Sequence, residues 1–228
     1  MSNQPSNSVA HDIAKYLAQL RSEGVAGINQ YEQRLRNNAG NPAVLDDLFF
    51  EGRAALLFRH NGFTVTIRER PDLQIGLGDE IVYAEVKHFQ EKGQDRLDEQ
   101  AMLEATDLLV SIGDLSATEE VPAWKQIAGV AVRKVSQYVD NAPNILVVES
   151  SSESLTLMIP SAVHEYDDEV PRSSDPRLSR LNAIMLVNTR SIGFGSIGPW
   201  NVEFCRTLHT AVPLSTRLAI ALARIRIE

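Results

Sequence analysis

The sequence predicts an α/β protein in which a mixed central β-sheet is flanked by helices and preceded by an N-terminal helical extension. Three observations carry that expectation. Residues 73–77 and 81–86 are two apolar runs around Gly78-Asp79-Glu80, the composition of a tight hairpin. Residues 145–149 (Ile-Leu-Val-Val-Glu) are almost wholly apolar, as expected of a central strand covered on both faces. Between these strands lies a segment with helical spacing, and a strand–helix–strand connection places its two strands parallel in one sheet.

The composition sets the bounds. A chain of 228 residues suits one medium-sized domain with additions. It divides into a polar tail and helical extension over 1–42 and a main domain over 43–228, with its core at 43–150 and C-terminal additions at 151–228. Hydrophobic residues make up 43% and charged residues 23%, the balance of a soluble globular protein. No apolar run approaches the roughly 18 residues that span a bilayer, and no signal peptide opens the chain, so no membrane partner is expected. The single cysteine, Cys205, excludes an intramolecular disulfide and fits a reducing, cytoplasmic setting. A net charge of −8 argues against a broad nucleic-acid-coating surface but leaves room for local basic clusters.

Residues 1–9 are polar and expected to be disordered. Over 10–37, Ile13, Tyr16, Leu17 and Leu20 share one stripe, which predicts one or two helices packed outside the core. Asn and Gly residues with Pro42 break the chain at 37–42, and a helix then runs to about His60. Val44, Leu48, Glu51, Ala55 and Phe58 fall on one face of it. Glu51 therefore sits in an apolar stripe, where a carboxylate either finds a cation or reaches solvent at the edge. Asn61-Gly62 ends the helix, and β-branched residues over 63–67 predict a strand.

On the second hairpin strand, Tyr83, Glu85 and Lys87 share one face, and Val82, Ala84 and Val86 the other. Asp72 enters the partner strand after Pro71 and approaches the same spot across the hairpin. His88 points to the opposite, core-side face. Pro71-Asp72, a hairpin-length gap and Glu85-Val86-Lys87 resemble the signature of the PD-(D/E)xK nuclease superfamily, the fold group of restriction endonucleases, archaeal Holliday-junction resolvases and lambda exonuclease. The resemblance covers roughly residues 44–150. It implies a restriction endonuclease-like core and hydrolysis of phosphodiester bonds with Mg²⁺ (or Mn²⁺), with nucleic acid, DNA in the first place, as partner. It also implies Asp72 and Glu85 as primary metal ligands, Glu51 as an auxiliary ligand and the Val86 carbonyl as a further one. Lys87 would hold the attacking water. A homodimer would suit an enzyme cutting two strands. The alternative within the same fold is a catalytically silent nucleic-acid-binding or assembly subunit. A third reading is an unrelated α/β protein with Glu85 and Lys87 as a surface pair, in which Glu51, Asp72 and Glu85 would lie far apart.

Residues 90–122 are polar at first and apolar over 102–112, and Lys92 and Arg96 read as solvated charges. From Pro122 a helix is expected to about Asp140, with Ile127, Val130, Ala131, Lys134 and Tyr138 on its apolar face. Lys134 either reaches a phosphate or site carboxylate, with Gln137 a turn away, or lays its stem along the face and its head in water. The resembled family often places a Lys or Gln here, which makes both second-tier site candidates. Beyond the strand at 145–149, an edge strand is expected at 155–159, a mobile loop over 165–176, and strands at 183–187 and 200–204 around the glycine-rich 193–199. A helix over 214–227 carries Arg217, Arg224 and Arg226. His60, His164, His209 and Cys205 have no ligand or base partner at motif spacing.

Overall fold

The computed structural model describes residues 7–88, 122–150, 158–188 and 202–226. Six α-helices are present among them: α1 (Asn7–Ser22), α2 (Ile28–Asn37), α3 (Pro42–His60), α4 (Ala123–Arg133), α5 (Ile159–Glu169) and α6 (Thr216–Ala223). The strands are β1 (Thr64–Ile67), β2 (Leu73–Leu77), β3 (Glu80–His88), β4 (Asn144–Ser150), β5 (Leu181–Asn188) and β6 (Val202–Arg206). They form one mixed sheet in the order β1-β2-β3-β4-β5-β6. The pairs β3–β4 and β4–β5 are parallel, and the other three are antiparallel. The hairpin lies where its composition puts it. Leu77 pairs with Glu80, and Gly78 takes the left-handed conformation that a two-residue turn requires.

Side-chain alternation divides the interior into two layers. Val82, Ala84 and Val86 of β3, with Ile145 and Val147 of β4, join the cluster built on α1, α2, α3 and α6. Leu146 and Val148 point the other way and pack with Ile127 and Ala131 of α4 and Ala162 and Tyr166 of α5. Strands β4 and β5 are buried at every residue, as an apolar strand in the middle of a covered sheet must be.

The N-terminal helices depart from their expected place outside the core. Ile13, Leu17, Leu20, Ile28, Tyr31 and Leu35 are buried in the same cluster as the sheet. The link between α1 and α2 also covers the β1 edge: Ala26 donates to Val65 O and accepts from Ile67 N, each at 2.9 Å. Gly27 is required there, because a Cβ would stand 2.0 Å from Ile67 O. The stripe read on α1 is correct, and its partner is the main core.

Three further expectations change. The helix expected to reach Asp140 ends at Arg133, because Asn144 captures the Val139 backbone through bonds of 2.8 and 3.0 Å and draws residues 134–138 into turns. Ile159, expected in an edge strand, opens α5, with Pro160 in the first turn, where its missing N–H costs nothing. Residues 165–169, expected in a loop, continue that helix, and Tyr166 is fully buried. The expectations for residues 1–6, 89–121, 151–157 and 189–201, Lys92 and Arg96 included, lie outside the described residues. No helix among the described residues is long and apolar enough to cross a membrane.

Candidate active site

Antiparallel pairing of β2 with β3 aligns Leu73 with Ala84 and puts Asp72 across from Glu85. Asp72 Oδ2 accepts the Val86 N–H at 2.8 Å, which holds its carboxyl over the strand. Helix α3 packs on the sheet and brings Glu51 close enough for Asp72 and Glu85 to affect its ionisation. Glu51, Asp72 and Glu85 are 7%, 8% and 2% exposed. One oxygen of Glu51 and one of Glu85 are buried with no hydrogen-bond partner. Glu51, Asp72 and Glu85 therefore lie within electrostatic reach of one another, which is unlike a surface Glu85–Lys87 pair with the three acids far apart.

Burial dominates the electrostatics. Loss of solvent and the nearby Asp72 charge push Glu51 up to about 8, against the opposing pull of Arg34. Burial and Asp72 raise Glu85 to about 7, against Lys134. Asp72 is also raised by burial, although the Val86 N–H and the charges of Lys134 and Arg34 oppose it. Three carboxylates in one dry volume cannot all remain charged without added positive charge.

Two cations stand against the cluster. Lys134 Nζ, at the C-cap of α4, lies 2.6 Å from Glu85 Oε1 and 3.1 Å from Gln137 Oε1. Its head is therefore on a site carboxylate, the first of the two alternatives read from the sequence. Arg34 of α2 lies 2.6 Å from Glu51 Oε1 and also donates to Arg68 O at 3.1 Å. Lys87, expected beside Glu85, instead pairs with Asp47 of α3 at 2.9 Å at the end of β3, and its side chain is 36% exposed. Val86 contributes its N–H to Asp72.

On the opposite face, as expected for its alternation, His88 Nδ1 lies 2.8 Å from Glu149 Oε2. Arg53 donates to both oxygens of the same carboxylate, at 2.9 and 2.7 Å. Burial would raise Glu149, but the His88 hydrogen bond and the Arg53 charge outweigh it and hold it below the usual range. Arg34, Asp47, Arg53 and Glu149 were missed in the sequence. An acid ending an otherwise apolar strand was the one signal available for Glu149. Arg34 lies beside the apolar stripe of α2, Ile28, Tyr31 and Leu35, which marks the inward face but not the acid that the arginine meets.

Among the described residues, no group of three or more His, Cys, Asp or Glu side chains is placed to hold a metal ion. The donor chemistry nevertheless fits a hard divalent cation. The carboxylates are buried, raised and within electrostatic reach of one another, and two of them carry unpartnered buried oxygens that a cation would satisfy. Compared with protein-family models, curated proteins and solved structures, the chain matches none.

Proposed function

We propose that this protein is a metal-dependent nuclease with a restriction endonuclease-like core, hydrolysing phosphodiester bonds with DNA as its substrate. The observation that carries the reading is the convergence of Glu51, Asp72 and Glu85, each more than nine-tenths buried, beside Lys134. Asp72 and Glu85 would hold Mg²⁺ or Mn²⁺, with Glu51 and the Val86 carbonyl as auxiliaries. When bound, that cation supplies charge at a non-bridging phosphate oxygen and acidifies water.

The chain's own groups do the rest. The Val86 N–H fixes the Asp72 carboxyl, so the acid is oriented before substrate arrives. Gln137 holds the Lys134 ammonium against Glu85, where it offsets the excess negative charge of the cluster. Lys87 takes the role of steadying the attacking water and the charge developing at phosphorus. Its partly exposed bridge to Asp47 is weak enough to exchange at little cost.

A second reading, a catalytically silent nucleic-acid-binding or assembly subunit of the same fold, is favoured by one observation. Arg34 and Lys134 already neutralise two of the three acids. A cleavage assay separates the two readings. Plasmid, linear duplex, single-stranded DNA and RNA are incubated with Mg²⁺, Mn²⁺ or EDTA, and wild type is compared with Asp72→Ala, Lys87→Ala and Lys134→Ala. Metal-dependent cutting is expected, with losses on the order of 10²-fold or more in the variants. Cutting that survives Asp72→Ala removes the assignment. Normal cutting by Lys87→Ala, with loss in Lys134→Ala, moves the water-steadying role to Lys134. No cutting of any substrate, with no heat of Mn²⁺ binding by calorimetry, leaves the silent subunit.

A further inference from the structure

We infer that a groove between α2 and the segment joining β1 to β2 is the track for the substrate's sugar–phosphate backbone, leading it to the carboxylates. The inference rests on the nuclease reading and names the surface that would present the substrate. Two adjoining hollows, of about 360 and about 250 Å³, share Gln30, Ile67, Arg68 and Glu69, so they form one continuous groove. Arg70 lines the first and Arg34 the second. Arg68 and Arg70, beside an Arg34 already paired with Glu51, thus face one glutamate in a chain whose net charge is −8. Positive charge concentrated on an acidic protein is what a phosphate-binding surface requires, because the rest of the molecule repels nucleic acid.

The groove is joined to the site by covalent and hydrogen-bonded links. Arg34 bridges them directly, with Nη2 on Glu51 and Nη1 on the Arg68 carbonyl. Arg68 and Arg70 precede Asp72 by four and two residues in the chain. Arg68 is held ready: its guanidinium lies 5.4 Å from the Tyr83 ring centroid and donates to Gln74 Oε1 at 2.6 Å. A planar fork fixed in this way loses less freedom on meeting a phosphate than a mobile lysine would. Arg70 is exposed and makes no ion pair among the described residues. Gln30 and Gln33 add exposed amides along α2. The one aromatic ring among the lining residues, Tyr31, is buried, so the groove offers no surface for base stacking and reads the backbone rather than the sequence.

The test is fluorescence anisotropy with labelled duplex DNA, single-stranded DNA and RNA of two unrelated sequences. Ca²⁺ replaces Mg²⁺, and salt is varied. Wild type is compared with Arg68→Ala/Arg70→Ala, with Arg70→Glu in case removal of the Arg68 side chain harms folding, and with Arg224→Glu as a control that changes the charge by the same two units. The groove predicts similar affinity for both sequences of the preferred nucleic acid. It predicts about tenfold weaker binding for the double variant, a salt slope smaller by about one for each phosphate no longer held, and little change in the control. If wild type binds and cuts while both groove variants bind as it does, or the control weakens binding equally, the groove is overturned and the nuclease reading stands. If wild type neither binds nor cuts, both fall together.

Discussion

At the scale of single residues, the cluster of Glu51, Asp72 and Glu85 makes stability depend on pH in a definite direction. Glu51 is raised to about 8 and Glu85 to about 7, so between the ordinary carboxylate range and those values the folded chain binds more protons than the unfolded one. Stability is therefore greatest at the acid end of that window and falls as pH rises through it. The slope is about 1.4 kcal/mol per pH unit for each fully displaced group. Thermal unfolding in EDTA should show Tm falling from about pH 5 to about pH 8, and Glu51→Gln should flatten the fall. On the proposed metal-dependent reading Mg²⁺ should flatten it too, since a cation on the acids would substitute for their protons. A melting temperature that climbs across this window would contradict the buried cluster. Arg34→Met should cost about 2 kcal/mol in chemical denaturation at neutral pH, because it leaves the buried Glu51 carboxyl and the Arg68 carbonyl without their hydrogen-bond donor. The value stays modest because the Arg34 side chain is 29% exposed.

At the scale of elements, the site is assembled from pieces with different physical origins. The hairpin places Asp72 and Glu85, and α3 adds Glu51. The short α4 then delivers Lys134 because its helix stops one residue before it. That stop depends on Asn144, whose amide satisfies Val139 N and the carbonyls of Val139, Ala142 and Arg180. Asn144→Ala leaves several partly buried backbone groups unpaired. It is expected to cost roughly 1–3 kcal/mol in urea titrations and, on the proposed nuclease reading, to lower cleavage through a misplaced Lys134. Leu17→Ala probes α1 in the same way. Leu17 is 1% exposed in the main cluster, so truncation should cost roughly 2–5 kcal/mol. A helix lying outside the core would lose almost nothing, and equilibrium unfolding separates the two outcomes.

At the scale of the whole molecule, the N-terminal segment and the α/β body share one cooperative structure. Helices α1 and α2 supply part of the apolar layer, cover the β1 edge and provide Arg34 to the site. A chain beginning at residue 43 is expected to lose cooperative unfolding by calorimetry and to aggregate, because removal uncovers both an apolar face and a strand edge. Cooperative melting of that fragment near the full-length temperature would overturn this account.

What the sequence determined by itself follows from short-range rules. Strand alternation put Glu85 on a face away from Val82, Ala84 and Val86, and a Gly-Asp turn set a register that carries Asp72 to it. The 3.6-residue period turned Glu51 inward. An apolar run marked β4 as central. Tertiary structure decided the partners of those groups. Arg34 meets Glu51 across 17 residues, Lys134 meets Glu85 across 49, and Arg53 meets Glu149 across 96. Such pairings depend on how packed layers bring distant elements together, and no local pattern of residue types encodes that. The same reason sends Lys87 to Asp47: at the end of β3 a long, half-exposed side chain takes the nearest acid that packing supplies.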